Sequence, residues 1–207
     1  MTPRTTPRTA TIPQVSSWNL ANYLTVLRVV LVPVFLVLLL ARDGDDQGRI
    51  GAALVFAFAS YTDRIDGQIA RSRGLVTSFG KLMDPIADKA LTGAALIGLS
   101  LLDELPWWVT AVVLVREIGV TLLRLIVIRH GVMPASRGGK LKTLLQTLAI
   151  GLYLLPLTGL AASTRAPVMA LAVVVTVVTG IDYVVRALTL RRTSERADMK
   201  RARRAAQ

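Results

Sequence analysis

The stretch DRIDGQIARSRGLVTSFGKLMDPIAD, residues 63–88, places four carboxylates between two uncharged apolar runs, 50–62 and 90–102. Its polar and small residues follow the spacing D-x2-D-G-x2-A-R-x8-G-x3-D-x3-D, with the acidic positions at Asp63, Asp66, Asp84 and Asp88. Charged side chains inside a bilayer are costly, and those that occur there usually have a function. The stretch therefore marks both a boundary between helices and a functional site.

The composition indicates a membrane protein with a cationic excess. The chain has 207 residues, is 53% hydrophobic and carries a formal charge of +12, and its mean hydropathy is +0.53. Its basic residues lie between and after long apolar runs, which favours anionic lipid over nucleic acid as the partner. Because the chain has no cysteine, disulfides and thiolate metal sites are excluded.

The apolar runs on either side of the acidic stretch are too short to cross a bilayer alone. Each has 13 residues, whereas a transmembrane helix needs about 20. We therefore expect the first helix to continue to about residue 71 and the next to begin at about residue 82, with a polar loop over 72–81. Both pairs of aspartates then lie at the same end of two antiparallel helices.

The remaining apolar segments complete an all-α domain with six predicted transmembrane helices. The four other spans are expected at 20–41, 106–129, 141–161 and 167–188, with breaks at 130–140 and 163–166. The predicted organisation is a disordered N-terminal tail, a six-helix domain and a basic C-terminal tail, over residues 1–15, 16–190 and 191–207.

Loop charges predict the orientation of these helices. The loops on the side of the two termini carry Arg71, Arg73, Lys81, Arg129, Arg137 and Lys140, and the C-terminal tail adds seven more basic residues. The loops on the other side contain most of the acidic residues outside the motif. By the positive-inside rule, both termini and the acidic stretch face the cytoplasm of a multi-pass cell-membrane protein.

Helical geometry brings the carboxylates together. The members of each acidic pair are three or four residues apart, so each pair lies on one helix face, and Gly67 and Ala70 leave room beside the first pair. Four neighbouring carboxylates repel one another unless a cation neutralises them. Oxygen ligands favour Mg²⁺, Mn²⁺ or Ca²⁺. A divalent cation beside a basic loop indicates phosphoryl chemistry at the membrane surface.

The chain resembles the CDP-alcohol phosphotransferase family, because its motif is complete at all eight positions of that family's signature. Other stretches resemble the bacterial branch whose acceptor is sn-glycerol 3-phosphate. These are residues 19–28 with Pro33, Arg116-Glu117-Ile118, and residues 138–143 with Gln146. The similarity extends over residues 19–183.

The resemblance implies a six-helix fold, a homodimer and two divalent ions, Mg²⁺ or Mn²⁺. It further implies that sn-glycerol 3-phosphate attacks CDP-diacylglycerol in the membrane, so that phosphatidylglycerophosphate forms and CMP leaves. Membrane lipids are the expected surroundings, and no nucleic acid is involved.

The resemblance also assigns roles to residues. Asp63, Asp66 and Asp84 would ligate the metals, and Asp88 would complete the metal site and act as general base. The nucleotide would be bound by Asn22, Thr25, Asp63, Gly67, Ala70 and Arg71. The acceptor phosphate would be bound by Arg116, Arg137, Lys140 and Lys142.

Several positions keep a second interpretation. Arg116 and Glu117 could form an internal ion pair that fixes helix packing, with Arg124 nearby. Lys140 and Lys142 could be end charges that reach toward the headgroups. Asn22, Thr25 and Arg28 could form a hydrogen-bonded seam between helices. Asp182 and Arg186, four residues apart, are predicted to be a structural pair.

Other functions also stay open. A cardiolipin synthase or a phosphatidylinositol-phosphate synthase would use the same motif with a different acceptor alcohol. A divalent-cation channel or transporter would use the aspartates as a selectivity or coupling site. The clustering of the carboxylates at one face and the lack of an inverted repeat favour the enzyme.

Overall fold

The structure is a computed structural model that describes residues 20–41, 44–72, 78–127 and 137–205. Within these ranges, the side chains of residues 20–22, 63–85, 88, 124, 125, 127, 137 and 191–205 lie outside the description. The expected N-terminal tail, 1–15, lies outside the described residues as well.

Every secondary-structure element in the described ranges is an α-helix, as the sequence predicts. The elements are α1 (Leu20–Leu40), α2 (Asp46–Ser72), α3 (Ser78–Leu101), α4 (Trp107–Val127), α5 (Arg137–Leu154), α6 (Gly159–Ser163) and α7 (Arg165–Ala205). The continuation of α2 through the acidic residues to Ser72 confirms the argument from span length. α1 crosses Pro33 without a break.

The boundaries of α3 and α5 differ from the prediction. α3 begins at Ser78, so Gly80 lies in its first turn and the expected polar loop over 72–81 is shorter. α5 begins at Arg137 and ends at Leu154, not at residue 161. Pro156 explains that end, since proline lacks an N–H and disfavours helical geometry at the residue before it. Helical structure resumes with α6 at Gly159, whose φ of 58° is a left-handed value that glycine adopts readily.

The break predicted at 163–166 is a single turn residue, Thr164, between α6 and α7. α7 then continues through the predicted C-terminal tail as far as Ala205. At 41 residues, this helix is about 60 Å long, twice the thickness of the hydrocarbon core. Its basic end is therefore a helical extension of the last span.

The helices pack around an apolar core that runs along the bundle. α1 packs on α2 and α3, α5 and α4 pack on α7, and α2 and α3 join the two groups through α5 and α4. Phe35 of α1 meets Phe56 of α2 with ring centroids 6.2 Å apart. Gly48 allows α1 and α2 to approach closely, because a Cβ there would lie 2.4 Å from the Leu38 carbonyl oxygen.

A polar group, here called the Glu104 cluster, closes the end of the bundle opposite the motif. It consists of Glu104, Arg49 and Arg165 with the carbonyl groups at the end of α5. Arg49 pairs with Glu104 and donates to the Tyr153 carbonyl at 2.7 Å. Arg165 lies 3.5 Å from Glu104 and donates to the Leu157 carbonyl at 3.1 Å. Arg49 thus satisfies a carbonyl that the end of α5 leaves without a helical partner, and Arg165 binds a carbonyl in the segment that follows α5.

Large apolar side chains cover the outside of the bundle. Val37, Leu54, Val115 and Val178 are all more than half exposed. Within the described residues, two stretches are long and apolar enough to cross a membrane, Tyr23–Leu40 and Gly159–Leu190. The other long helices contain charged residues that interrupt their apolar stretches. The Asp182–Arg186 pair is confirmed, at 2.9 Å.

The Glu104 cluster should contribute measurably to stability. Glu104→Gln removes the shared counter-ion of two largely buried arginines, so we expect a loss of about 1–2 kcal/mol. This corresponds to a fall in Tm of roughly 2–8 °C for a chain of this size. Thermal unfolding of the purified protein in detergent measures it.

Asp182→Asn is the matched control, because it also breaks an ion pair but on the exposed face of α7. Its cost should stay below about 0.5 kcal/mol. Equal Tm values for the two variants would show that the Glu104 cluster does not hold the helix ends together.

Candidate functional site

The eight motif positions all fall on two helix ends at the same side of the bundle. Asp63 to Arg71 occupy the last turns of α2, and Gly80 to Asp88 occupy the first half of α3. Their backbone is helical throughout, so the three- and four-residue spacings of the acidic pairs do place each pair on one helix face. Among the side chains that are described, no group of three acidic or histidine residues could hold a metal. The four motif carboxylates lie outside that set.

A cavity of about 510 Å³ lies between the first five helices, next to the motif. Ala57 of α2 and Leu114 and Ile118 of α4 are among its apolar lining residues. Its charged and amide side chains are Arg28, Lys89, Glu117, Lys142 and Gln146. Tyr61 at its rim is two residues from Asp63, and Lys89 directly follows Asp88. The cavity and the motif therefore share the walls of α2 and α3.

Three cations from three helices converge on the Glu117 carboxylate. Lys89 of α3 lies 3.1 Å from Glu117 Oε2, and Arg116 of α4 lies 2.8 Å from Oε1. Lys142 of α5 pairs with the same Oε1. Because the carboxylate is almost buried and each cation belongs to a different part of the site, Glu117 connects α3, α4 and α5. We call these four residues the Glu117 cluster.

The last helix is tied to the same cluster through Arg116. Arg116 Nη2 donates to Thr179 Oγ1 of α7 at 3.1 Å. Gly180 makes room for this arginine, because a Cβ at that position would lie 3.0 Å from Arg116 Cγ. The internal ion pair between Arg116 and Glu117 that the sequence offered as one interpretation is thus present.

The electrostatics of the cluster favour an anionic ligand. The formal charges of Lys89, Arg116, Lys142 and Glu117 sum to +2 (three cations and one carboxylate). Lys142 is only 5% exposed, and buried cations are stable only near compensating charge. Among the described side chains, the cluster therefore has an excess of positive formal charge beside the cavity.

Gln146 is the second polar feature of the cavity wall. It follows Lys142 by one helical turn on α5, so both side chains lie on one face. Gln146 is 4% exposed. Its Oε1 is buried and makes no hydrogen bond to any residue that the structure describes.

The structure brings some of the predicted site residues together and separates others. Thr25 and Arg28 are both buried on the inner face of α1, and Arg28 lines the cavity. Lys142 lines it as well, whereas Lys140 is exposed. Arg116 reaches the cavity only through Glu117. The other predicted residues have described backbone but side chains outside the description: Asn22, Asp63, Asp66, Gly67, Ala70, Arg71, Asp84, Asp88 and Arg137.

Sequence reasoning missed Lys89 and the central place of Glu117. Lys89 is a lone cation at the start of an apolar run, which is the same signal that identified the aspartates. Glu117 was considered only as a partner of Arg116, because its partners on α3 and α5 are distant in the chain. Gln146 was noted only as part of a family-like stretch.

Comparison with known proteins identifies the class. The family model of CDP-alcohol phosphatidyltransferases matches residues 18–178, which is most of the chain and includes the motif, the Glu117 cluster and the cavity. The chain therefore belongs to the CDP-alcohol phosphatidyltransferase family.

Three individual relatives have names that describe reactions of this family. A protein of Mycobacterium tuberculosis named probable phosphatidylglycerophosphate synthase is 58% identical over 171 residues, which cover 82% of each chain. A Bacillus subtilis protein named CDP-diacylglycerol–glycerol-3-phosphate 3-phosphatidyltransferase is 41% identical over 149 residues, 67% of this chain and 77% of that one. A Streptomyces coelicolor protein named cardiolipin synthase (CMP-forming) is 37% identical over 130 residues, 62% of this chain and 57% of that one.

Removing the Glu117 carboxylate should make the cluster bind anions more tightly. Glu117→Gln raises its formal charge from +2 to +3 (one carboxylate fewer) and removes the carboxylate with which both lysines pair, so the Kd for inorganic sulfate should fall several-fold. Without sulfate, the variant should unfold at a lower temperature, because it leaves buried cations without their counter-ion. Tm as a function of sulfate concentration, at constant ionic strength, gives both values.

Glu104→Gln serves as the control, since it removes a carboxylate that also pairs with two cations but lies at the other end of the bundle. It should leave the sulfate Kd unchanged. An unchanged sulfate Kd in Glu117→Gln would contradict an anion site at the Glu117 cluster.

Proposed function

We propose that this chain transfers the phosphatidyl group of CDP-diacylglycerol to sn-glycerol 3-phosphate, with phosphatidylglycerophosphate and CMP as products. The observation that carries the proposal is that the complete family motif lies on two helix ends beside a cavity with a cationic wall. The motif suits a nucleotide diphosphate donor with its metals, and the cationic wall suits an acceptor that brings its own phosphate. The names of the mycobacterial and Bacillus relatives describe the same reaction.

The motif carboxylates would hold two divalent ions, Mg²⁺ or Mn²⁺. Their donor chemistry fits, since four carboxylates on one-turn spacings supply the hard oxygen ligands that these ions prefer. Asp63, Asp66 and Asp84 are the proposed ligands, and Asp88 completes the site. When bound, such ions offset the negative charge of the diphosphate during the transfer.

The nucleotide part of the donor is proposed to bind between α1 and α2. Gly67 and Ala70 have small side chains one turn and two turns after Asp63, so a ring can approach the helix backbone there. Arg71 would contact the diphosphate, and Asn22 and Thr25 would border the base. The burial of Thr25 on the inner face of α1 supports this position.

The acceptor phosphate is proposed to bind at Lys142 and Lys89. Both line the cavity and both pair with Glu117. Arg116 contributes by fixing Glu117, and Arg137 and Lys140, at the start of α5, would attract the phosphate toward the cavity mouth. This arrangement keeps Lys142 as a phosphate ligand, gives Arg116, Arg137 and Lys140 supporting roles instead of the direct contacts predicted from the sequence, and adds Lys89.

The transfer step needs one proton acceptor beside the cavity. The primary hydroxyl oxygen of sn-glycerol 3-phosphate attacks the β-phosphorus, to which the diacylglycerol is attached. As the new O–P bond forms, the bond from that phosphorus to the oxygen of the CMP phosphate breaks and CMP leaves. Asp88 takes the hydroxyl proton. Because Lys89 is the next residue on α3, the contact that orients Lys89 also orients the segment that carries Asp88.

The site is proposed to face the cytoplasm in a six-span membrane protein that forms a homodimer. α2, α3 and α4 have 27, 24 and 21 residues, so each is longer than the roughly 30 Å of the hydrocarbon core. α5 has 18 and is slightly shorter. The exposed apolar side chains on α1, α2, α4 and α7 support contact with lipid. The basic loops and the basic end of α7 support a cytoplasmic site.

The acceptor separates this function from its nearest alternative. Phosphatidylglycerol, the acceptor of a cardiolipin synthase, has no phosphate monoester to contact Lys89 and Lys142, the proposed phosphate ligands. In proteoliposomes with CDP-diacylglycerol and Mg²⁺, we expect CMP release with sn-glycerol 3-phosphate at least tenfold faster than with phosphatidylglycerol or inositol phosphate. CMP release by phosphatidylglycerol alone would assign the chain to cardiolipin synthesis.

Asp88→Asn tests the proposed base. The amide cannot accept the hydroxyl proton, so CMP release should fall by at least 100-fold. CDP-diacylglycerol binding should stay within about threefold, because the proposed nucleotide contacts lie on α1 and α2 and the three other aspartates would still hold the metals. Stopped assays of CMP and a binding assay with the donor measure the two effects.

Asp182→Asn again provides the control, with activity expected to stay near that of the unchanged protein. Near-normal turnover in Asp88→Asn would exclude Asp88 as the base. Divalent-cation flux through protein-containing liposomes in the absence of nucleotide would favour a channel over an enzyme.

A further inference from the structure

We propose that Gln146 is a specificity-determining residue that recognises the secondary hydroxyl of the acceptor by accepting a hydrogen bond from it. This inference rests on the proposed function, because it concerns the same acceptor site. Gln146 lies in the cavity wall, one helical turn from Lys142. A ligand whose phosphate contacts Lys142 therefore lies within about one helical turn of the Gln146 amide.

The amide is in an unfavourable state without a ligand. Its Oε1 is buried and accepts no hydrogen bond from any described residue. An unsatisfied buried acceptor costs about 1–3 kcal/mol, so such a group in a membrane bundle needs an explanation. A hydroxyl of a bound molecule would remove the cost by donating to Oε1.

The size and chemistry of the cavity select the ligand. At about 510 Å³, it is large enough for a small phosphorylated polyol together with the reacting end of the donor. In sn-glycerol 3-phosphate, the phosphate and the attacking primary hydroxyl lie at opposite ends, and the secondary hydroxyl lies between them. The middle hydroxyl is the group left for Gln146 once Lys142 and Lys89 hold the phosphate and Asp88 receives the proton.

Propane-1,3-diol monophosphate tests the inference, since it keeps the phosphate and the primary hydroxyl but lacks the secondary one. The unchanged protein should use sn-glycerol 3-phosphate with a kcat/KM about tenfold to 100-fold above that of the analogue. Gln146→Leu should lose this preference, because kcat/KM falls for sn-glycerol 3-phosphate and changes less than threefold for the analogue. Gln146→Met, a flexible chain of similar length, should behave in the same way and guards against a folding defect.

Thr176→Val is the matched control. Thr176 Oγ1 is also buried without a partner among the described residues, but Thr176 does not line the cavity. Thr176→Val and the two Gln146 substitutions each remove an unsatisfied polar atom, so none of them should lower the Tm. Only the Gln146 variants should lose the preference between the two acceptors.

The outcomes separate the inference from the proposed function. Three results would show that Gln146 does not recognise the hydroxyl: the unchanged protein does not distinguish the two acceptors, the Gln146 variants lower both kcat/KM values equally, or Thr176→Val also loses the preference. If neither compound releases CMP, the proposed function fails. In that case, the Tm shift that each compound causes in the absence of donor tests the inference about Gln146. The inference requires that sn-glycerol 3-phosphate raise the Tm of the unchanged protein more than the analogue does, and that this difference disappear in Gln146→Leu. Equal Tm shifts of the unchanged protein with the two compounds would overturn it.

Discussion

The Glu117 carboxylate is the contact on which the interior of this protein depends. An apolar bundle can hold buried charges only where they compensate one another, and here one carboxylate receives Lys89, Arg116 and Lys142 from three helices. Arg116 extends the connection to Thr179 of α7. At the opposite end of the bundle, Glu104 plays a similar part for Arg49 and Arg165. The helices are thus held by apolar packing along their length and by one charged group at each of two depths.

The Glu117 cluster also explains how acceptor and donor sites can be kept in register. Lys89 is adjacent to the proposed base on α3, and Lys142 is one turn from Gln146 on α5. Fixing both lysines to one carboxylate sets the spacing between the two helices. Group transfer depends strongly on such spacing, because a misplacement of about 1 Å can cost 100-fold in rate. Under the proposed function, the Glu117 carboxylate would therefore control how the reacting groups meet.

The helical extent of much of this chain could be predicted from the sequence. The 13-residue runs on either side of the motif were expected to continue as helices through their aspartates, and α2 does so. The end of α5 could not be predicted from apolar content alone, since the local effect of Pro156 outweighed an apolar run that continues to residue 161. The start of α3 at Ser78 was missed for the opposite reason, because polar residues in a first helical turn look like a loop.

The site was only partly predictable. The motif aspartates could be recognised from the sequence, because their spacing along the chain is informative even when their neighbours in the folded protein are unknown. Lys89, Glu117 and Gln146 become informative only when α3, α4 and α5 are packed together, since each has an ordinary structural interpretation in isolation. Lys140 and Lys142 illustrate the limit, because they are two residues apart and one is exposed while the other is buried in the cavity wall.

The most direct measurement is an experimental structure of the protein with sn-glycerol 3-phosphate bound. Our account predicts phosphate density in the cavity, with oxygens within about 3 Å of the Lys89 and Lys142 ammonium groups and the carbon chain directed toward Asp88. Phosphate bound at the exposed start of α5, with the cavity empty and the Glu117 cluster unchanged, would contradict it.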